Sequence, residues 1–176
     1  MLQALPDARL VVVGVASEKK KQSLLAALGE SEGVRERVRF APRTDLPGYF
    51  GLINQIDIAL DTFPYGGGTT TFDALWMGVP VLTVAGSTSC SRSAASLLAV
   101  LGMEEWIAPG VDQLEALGIK RARDTVAIAR LRRTLRERLR ASPLMDEAGF
   151  AAAFQAALGQ AWLESATTRQ DQDPIV

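Results

Sequence analysis

The chain has 176 residues, 48% of them hydrophobic, with a single cysteine, no histidine and a net charge of −1. That length and apolar content suit one domain with a real core, while the cysteine and histidine counts exclude an internal disulfide and a His/Cys metal cluster. No apolar run reaches membrane-spanning length and the first residues lack a signal-peptide pattern, so a cytoplasmic protein without a membrane partner is expected; the near-zero charge gives no pull toward nucleic acid.

In chain order, Leu2 to Leu5 reads as the tail of a helix and Pro6-Asp7 as a turn into an apolar strand over Arg9 to Val15. A polar helix follows from Glu18 to Leu28, then a loop from Gly29 to Gly33 and a short strand, Val38 to Ala41. Leu46 to Ile56 reads as a helix begun by Pro47 and weakened by Gly51. Ile58 to Leu60 has the pattern of a buried strand, Thr69 or Thr70 caps a helix that Gly78 and Pro80 end, and Val79 to Val84 forms the next strand. A loop from Gly86 to Ser93 leads into a helix through Ala94 to Leu101, and Trp106 to Ala108 is the last strand. Strands alternating with helices imply an α/β fold with a doubly wound parallel sheet, whose ligands bind at the strand carboxyl ends.

Residues 120 to 140 carry nine of the 19 basic side chains, and Ile128, Leu131, Leu135 and Leu139 recur at helical spacing. One amphipathic helix of about five turns is expected, its arginines on a solvated face; no aromatic residues interleave with them as a single-strand platform requires. Over 146 to 165 a terminal helix bears Phe150, Phe154, Leu158 and Trp162 one turn apart, a stripe that packs either on this domain's sheet or on a partner lobe. The lobe therefore spans 1 to 165, and the polar residues 166 to 176 read as a disordered tail.

The chemistry concentrates between strand and helix, in Pro-Tyr-Gly-Gly-Gly-Thr-Thr from Pro64 to Thr70. Three glycines let backbone N–H groups approach a ligand, and the helix start adds unpaired donors and a partial positive charge. Gly67, Gly68, Thr69 and Thr70 are thus candidates to hold the diphosphate of a nucleotide, with Asp73 accepting from the ribose hydroxyls. The same pattern also fits a plain turn linking strand to helix.

The run Asp57-Ile-Ala-Leu-Asp-Thr-Phe-Pro-Tyr-Gly-Gly-Gly-Thr-Thr-Thr-Phe-Asp-Ala-Leu-Trp-Met-Gly-Val-Pro-Val resembles the C-terminal catalytic half of the O-GlcNAc transferase family, above all its bacterial, tetratricopeptide-repeat-linked members. The resemblance continues through Gly86-Ser-Thr-Ser-Cys-Ser-Arg-Ser-Ala-Ala-Ser-Leu-Leu, Leu101-Gly-Met-Glu-Glu-Trp-Ile-Ala and Arg140-Ala-Ser-Pro-Leu-Met-Asp. It implies the C-terminal, donor-binding lobe of a two-lobed GT-B glycosyltransferase with Rossmann-like halves. It implies, too, a first strand, an N-terminal catalytic lobe and repeats outside these residues, so the piece alone is expected to be inactive. The implied reaction moves N-acetylglucosamine from a UDP-sugar to protein serine or threonine, without a metal or other cofactor.

By the same resemblance Tyr49 stands where animal members carry a histidine packed on the uracil, and Gly68 where they carry one near the phosphates. Arg43 and Thr44 would meet the uracil edge. Arg92 could reach a phosphate or pair with Glu104 or Glu105. Cys90 and Trp76 are read as structural, and no residue is assigned as a catalytic base. Two other readings stand beside the transferase: a module that only binds UDP, and half of a nucleotide-sugar epimerase. With its first strand absent, the Arg9 to Val15 edge is expected to pair with a second copy.

Overall fold

The computed structural model describes residues 1–29 and 32–170. Its elements are β1 (Leu10–Val13), α1 (Glu18–Ala27), α2 (Glu32–Arg35), β2 (Val38–Ala41), α3 (Leu46–Ile53) and β3 (Ala59–Leu60). There follow α4 (Thr69–Trp76), β4 (Val81–Val84), α5 (Ser89–Val100), a 3-10 turn (Glu104–Trp106), β5 (Ile107–Ala108), α6 (Val111–Arg123), α7 (Thr125–Arg140), a second 3-10 turn (Pro143–Met145) and α8 (Glu147–Gln170).

Every ladder is parallel, as the alternating sequence requires. β1 pairs with β2, Leu10 opposite Val38 through Val13 opposite Ala41. In a second ladder β4 lies between β3 and β5, with Ala59 opposite Val81 and Val84 opposite Ala108. The expected sheet is therefore divided into ladders of two and three strands. The core surrounds the larger one: Leu75, Val79, Leu82, Leu98, Met103, Trp106, Leu135 and Leu139 are buried together.

Side-chain caps decide several boundaries. Asp45 accepts from the Gly48 N–H and starts α3. Thr88 and Ser91 form a capping box that starts α5 at Ser89, five residues earlier than expected, because it meets helix-end donors that a serine-rich run otherwise leaves bare. The single basic helix expected over 120 to 140 is two. Asp124 leaves helical geometry (φ −91°, ψ 70°) and its carboxylate accepts from the Ala127 N–H, ending α6 and capping α7.

Five of the six arginines of α7 are exposed, as expected of a solvated face, and three of the six also reach neighbouring elements. Arg132 donates to the carbonyls of Asn54 and Ile56, Arg136 to that of Trp76 and Arg138 to that of Gly102. These carbonyls close the C-terminal turns of α3, α4 and α5, which lack helical partners of their own. Opposite them, Ile128, Leu131, Leu135 and Leu139 enter the core as the periodicity requires.

α8 runs on to Gln170, so residues 166 to 170 are helical where a disordered tail was expected; 171 to 176 lie outside the described residues. Its Phe150, Phe154, Leu158 and Trp162 are all exposed, so the stripe does not pack on this domain's sheet. No helix among the described residues is long and apolar enough to cross a membrane.

α4 ends in a Schellman turn, Gly78 donating to Leu75 and Val79 to Ala74. Gly78 sits at φ +77°, and a Cβ there would lie 2.5 Å from the Arg132 carbonyl oxygen on α7. Gly78→Ala should cost about 2 kcal/mol or more of stability, from left-handed strain plus displacement of α7. Urea unfolding checks this; an unchanged midpoint would refute it.

Candidate functional site

The site begins at Asp61, where the chain leaves β3. One of its carboxylate oxygens accepts from the Gly67 N–H (2.7 Å), the other from the Thr83 hydroxyl on β4 (2.7 Å). The loop is held at three further points. Gly66 N–H donates to the Cys90 carbonyl (3.1 Å), the Thr62 hydroxyl to the Tyr65 carbonyl (2.5 Å), and the Thr71 hydroxyl to the Gly67 carbonyl (3.0 Å). A Cβ at Gly67 would meet Thr70 Oγ1 at 2.6 Å and Thr71 Oγ1 at 2.8 Å, so a side chain there requires both threonine hydroxyls to move.

Gly67 must therefore be corrected as a ligand donor: its N–H is committed to Asp61. The open donors start one residue later. Among the described residues, the N–H groups of Gly68, Thr69 and Thr70 meet no acceptor in the protein, as the first turn of α4 dictates. They border a cavity of about 430 Å³ lined also by Thr62, Tyr65, Gly66, Gly67, Cys90 and Ser93. Asp61 is not part of this lining and stands behind the loop.

Asp73 lies one turn along α4. The Tyr49 hydroxyl on α3 donates to its Oδ2 (3.1 Å), while Oδ1 has no protein partner among the described residues. Burial of the phenol, reinforced by this hydrogen bond and by the negative carboxylate, pushes the Tyr49 pKa up to about 12. The two residues named separately from the sequence thus form one pair.

Arg43 belongs to a second cavity of about 530 Å³ at the carboxyl ends of β1 and β2, lined by Gly14, Val15, Ala16, Lys21, Phe40, Ala41, Pro42 and Arg43. Its side chain lies over Gly14, and Lys21 stands 6.0 Å from the centre of the Phe40 ring. The Thr44 hydroxyl donates to Asp45 (3.1 Å). Arg92 donates to the Gly86 carbonyl (3.2 Å), does not line the cavity beside the glycine turn, and among the described residues forms no ion pair with Glu104 or Glu105. Cys90 is exposed, 3.2 Å from the Thr88 hydroxyl. Trp76 packs against the core with the Arg136 guanidinium over its ring. Among the described residues, no group of three or more acidic, cysteine or histidine side chains could hold a metal ion.

Asp61, Lys21, Phe40 and Tyr65 went unnoticed in the sequence. Asp61 alone left a trace, as a carboxylate closing a strand just before a glycine run.

The sequence pattern of glycosyl transferase family 41 matches residues 29–154. The chain is 34% identical over 165 residues to a probable UDP-N-acetylglucosamine–peptide N-acetylglucosaminyltransferase, SPINDLY, of Hordeum vulgare, covering 92% of this chain and 18% of that protein. It is 30% identical over 106 residues to the UDP-N-acetylglucosamine–peptide N-acetylglucosaminyltransferase of Caenorhabditis elegans, covering 60% of this chain and 9% of that protein. A solved mutant of the Thermobaculum terrenum O-GlcNAc transferase superposes with a TM-score of 0.84 at 34% identity, over 96% of this chain and 33% of the other. The chain thus spans under a fifth of the length of the curated relatives it matches.

The pairing of Tyr49 with Asp73 fixes the sign of a pH effect. A phenol whose pKa is raised on folding adds stability that is complete below about pH 10, its ordinary value, and is lost as pH rises through about 12. In a Tyr65→Phe background, phenolate absorbance after a pH jump should give a midpoint near 12 for Tyr49. Adding Asp73→Asn should lower it only part of the way, since burial is the larger cause; an unmoved midpoint would refute the pair.

Proposed function

Because the chain belongs to glycosyl transferase family 41, with the parallel α/β fold of a GT-B transferase lobe, we propose that it holds the donor in a transfer of N-acetylglucosamine from UDP to protein serine or threonine hydroxyls. The observation that carries this reading is the row of open N–H donors from Gly68 to Thr70 facing a cavity beside a clamped loop.

In this reading Gly68, Thr69 and Thr70 take the diphosphate, with the two threonine hydroxyls as further donors. As the sugar–oxygen bond breaks, negative charge grows on the β-phosphate, and donors already fixed in place stabilise it without reorganising. Their number and the helix-start field meet that charge, so the proposal calls on no metal ion. Gly67 contributes shape, allowing Thr70 and Thr71 to close in. Tyr49 holds one oxygen of Asp73 and leaves the other for a ribose hydroxyl. The uracil lies toward the Tyr49 ring, with Arg43 and Thr44 along its edge. Arg92, engaged with Gly86, steadies the start of α5 and is given no phosphate.

The acceptor hydroxyl, the group that takes its proton and the second lobe are assigned outside these residues. On this division the piece binds donor and turns nothing over by itself. A charged hydrogen bond is worth about 1.5–3 kcal/mol, so losing the ribose contact weakens binding roughly 10- to 100-fold. Calorimetry should show Asp73→Ala losing UDP affinity by that factor while pyrophosphate affinity stays within about twofold. Equal losses would remove the ribose role, and no heat with either ligand would remove the loop assignment.

A further inference from the structure

The cavity beside the glycine turn is unusual for a diphosphate in one respect: among the described residues no cationic side chain lines it. Arg92, at the start of α5, is turned to the Gly86 carbonyl. Two carboxylates stand close by instead, Asp73 one turn along α4 and Asp61 behind the loop. The Asp61 oxygens lie 3.1 and 3.3 Å from the points that Cβ atoms on Gly66 and Gly67 would take. Among the described residues Asp61 has no ion-pair partner.

The clamp on the loop does not itself require this charge. A neutral amide would accept from the Gly67 N–H with its oxygen and donate to Thr83 Oγ1 with its nitrogen. The Thr83 hydrogen would then turn to the Val84 carbonyl, which lies 3.4 Å away. What the carboxylate adds over such an amide is a fixed negative field on the far side of the loop.

On the donor reading above, on which this inference rests, the ligand changes charge while it is bound. In a UDP-sugar both phosphates are esterified and each carries one negative charge. Transfer breaks the bond between the sugar carbon and the β-phosphate oxygen, and the electron pair stays on that oxygen. The acceptor oxygen bonds to the sugar, and its proton passes to a base outside these residues. The UDP left behind has a terminal phosphate that ionises a second time above about pH 6, so the product carries one charge more than the donor.

We propose that Asp61 makes the site selective for charge, disfavouring the UDP product relative to the esterified donor and so promoting its release. A hydrogen bond on each side of the Gly67–Gly68 backbone puts carboxylate and phosphate roughly 8 Å apart. At an effective dielectric of about 20, one further unit charge at that distance changes affinity by roughly tenfold or somewhat more. The helix start pulls the other way with about half a unit charge from a shorter distance, so the two fields nearly offset. The transition state carries only part of the new charge. Asp61 therefore weakens the bound product by more than it raises the barrier.

The test is calorimetry on the 176-residue chain with UDP and its β-methyl ester, which differ by one charge at about pH 7.5 and by little at about pH 5. UDP should bind the unaltered chain no tighter than the ester at either pH. With Asp61→Asn, UDP should overtake the ester by roughly tenfold at the higher pH and by less than about twofold at the lower. Thr83→Val keeps the carboxylate but removes one of its partners, so it should weaken both ligands alike and leave their ratio unchanged. Tyr49, Tyr65, Asp73, Cys90 and Arg92 also ionise around the cavity, and comparing each variant with the unaltered chain removes their effect. The proposal is overturned, whether or not the variants fold, if UDP binds the unaltered chain about tenfold tighter than the ester at the higher pH. It is also overturned by a ratio that Asp61→Asn leaves unmoved, or that Thr83→Val moves as far. No heat from either ligand would remove the donor reading itself, and this inference with it.

Discussion

The site depends on a single carboxylate. Asp61 joins β3, the glycine turn and β4 by accepting from Gly67 and Thr83 at once. Without an acceptor behind the loop, the Gly67 N–H would be stranded or the turn would move to find water, and three consecutive glycines offer little resistance to movement. With it, the inward-pointing donor is satisfied and the next three are presented outward as a fixed row. The anion-binding role proposed for the turn needs this division of labour. A negative charge behind the loop works against a bound phosphate, so its placement outside the cavity lining matters as much as the two bonds it accepts.

The same economy governs α7. Its apolar face is core, and its arginines reach the C-terminal carbonyls of α3 and α4, which carry Tyr49 and Asp73 respectively. One helix thus holds the far ends of the two elements whose near residues pair in the site. Exposed ion pairs contribute little to stability, and this helix relies on charged donors to otherwise unmet carbonyls instead. That task accounts for Arg132, Arg136 and Arg138.

What the sequence made legible was local. The apolar runs of β2 and β4 and the glycine turn follow from periodicity and turn chemistry within a few residues, and they were placed correctly. The cap of α4, expected at Thr69 or Thr70, is instead Gly68 with no side-chain cap, and both threonines lie within the helix. What it concealed was decided at a distance. Asp61 and Thr83 stand 22 residues apart, Tyr49 and Asp73 stand 24 apart, and no local pattern marks either pair. The break at Asp124 was hidden for a different reason: the apolar period of α7 continues past it, and an aspartate can sit on a solvated helix face or cap a new one. Gly67 illustrates the limit. Composition shows that an N–H can be offered there, but only the fold shows that Asp61 has already taken it.

The division of the sheet bears directly on ligand energetics. On the proposed reading the diphosphate side belongs to the well-buried ladder of β3, β4 and β5, and the base side borders the ladder of β1 and β2, whose strands pack chiefly on each other. A ligand that engages both ladders must fix one against the other, and the free energy of that ordering is subtracted from its affinity.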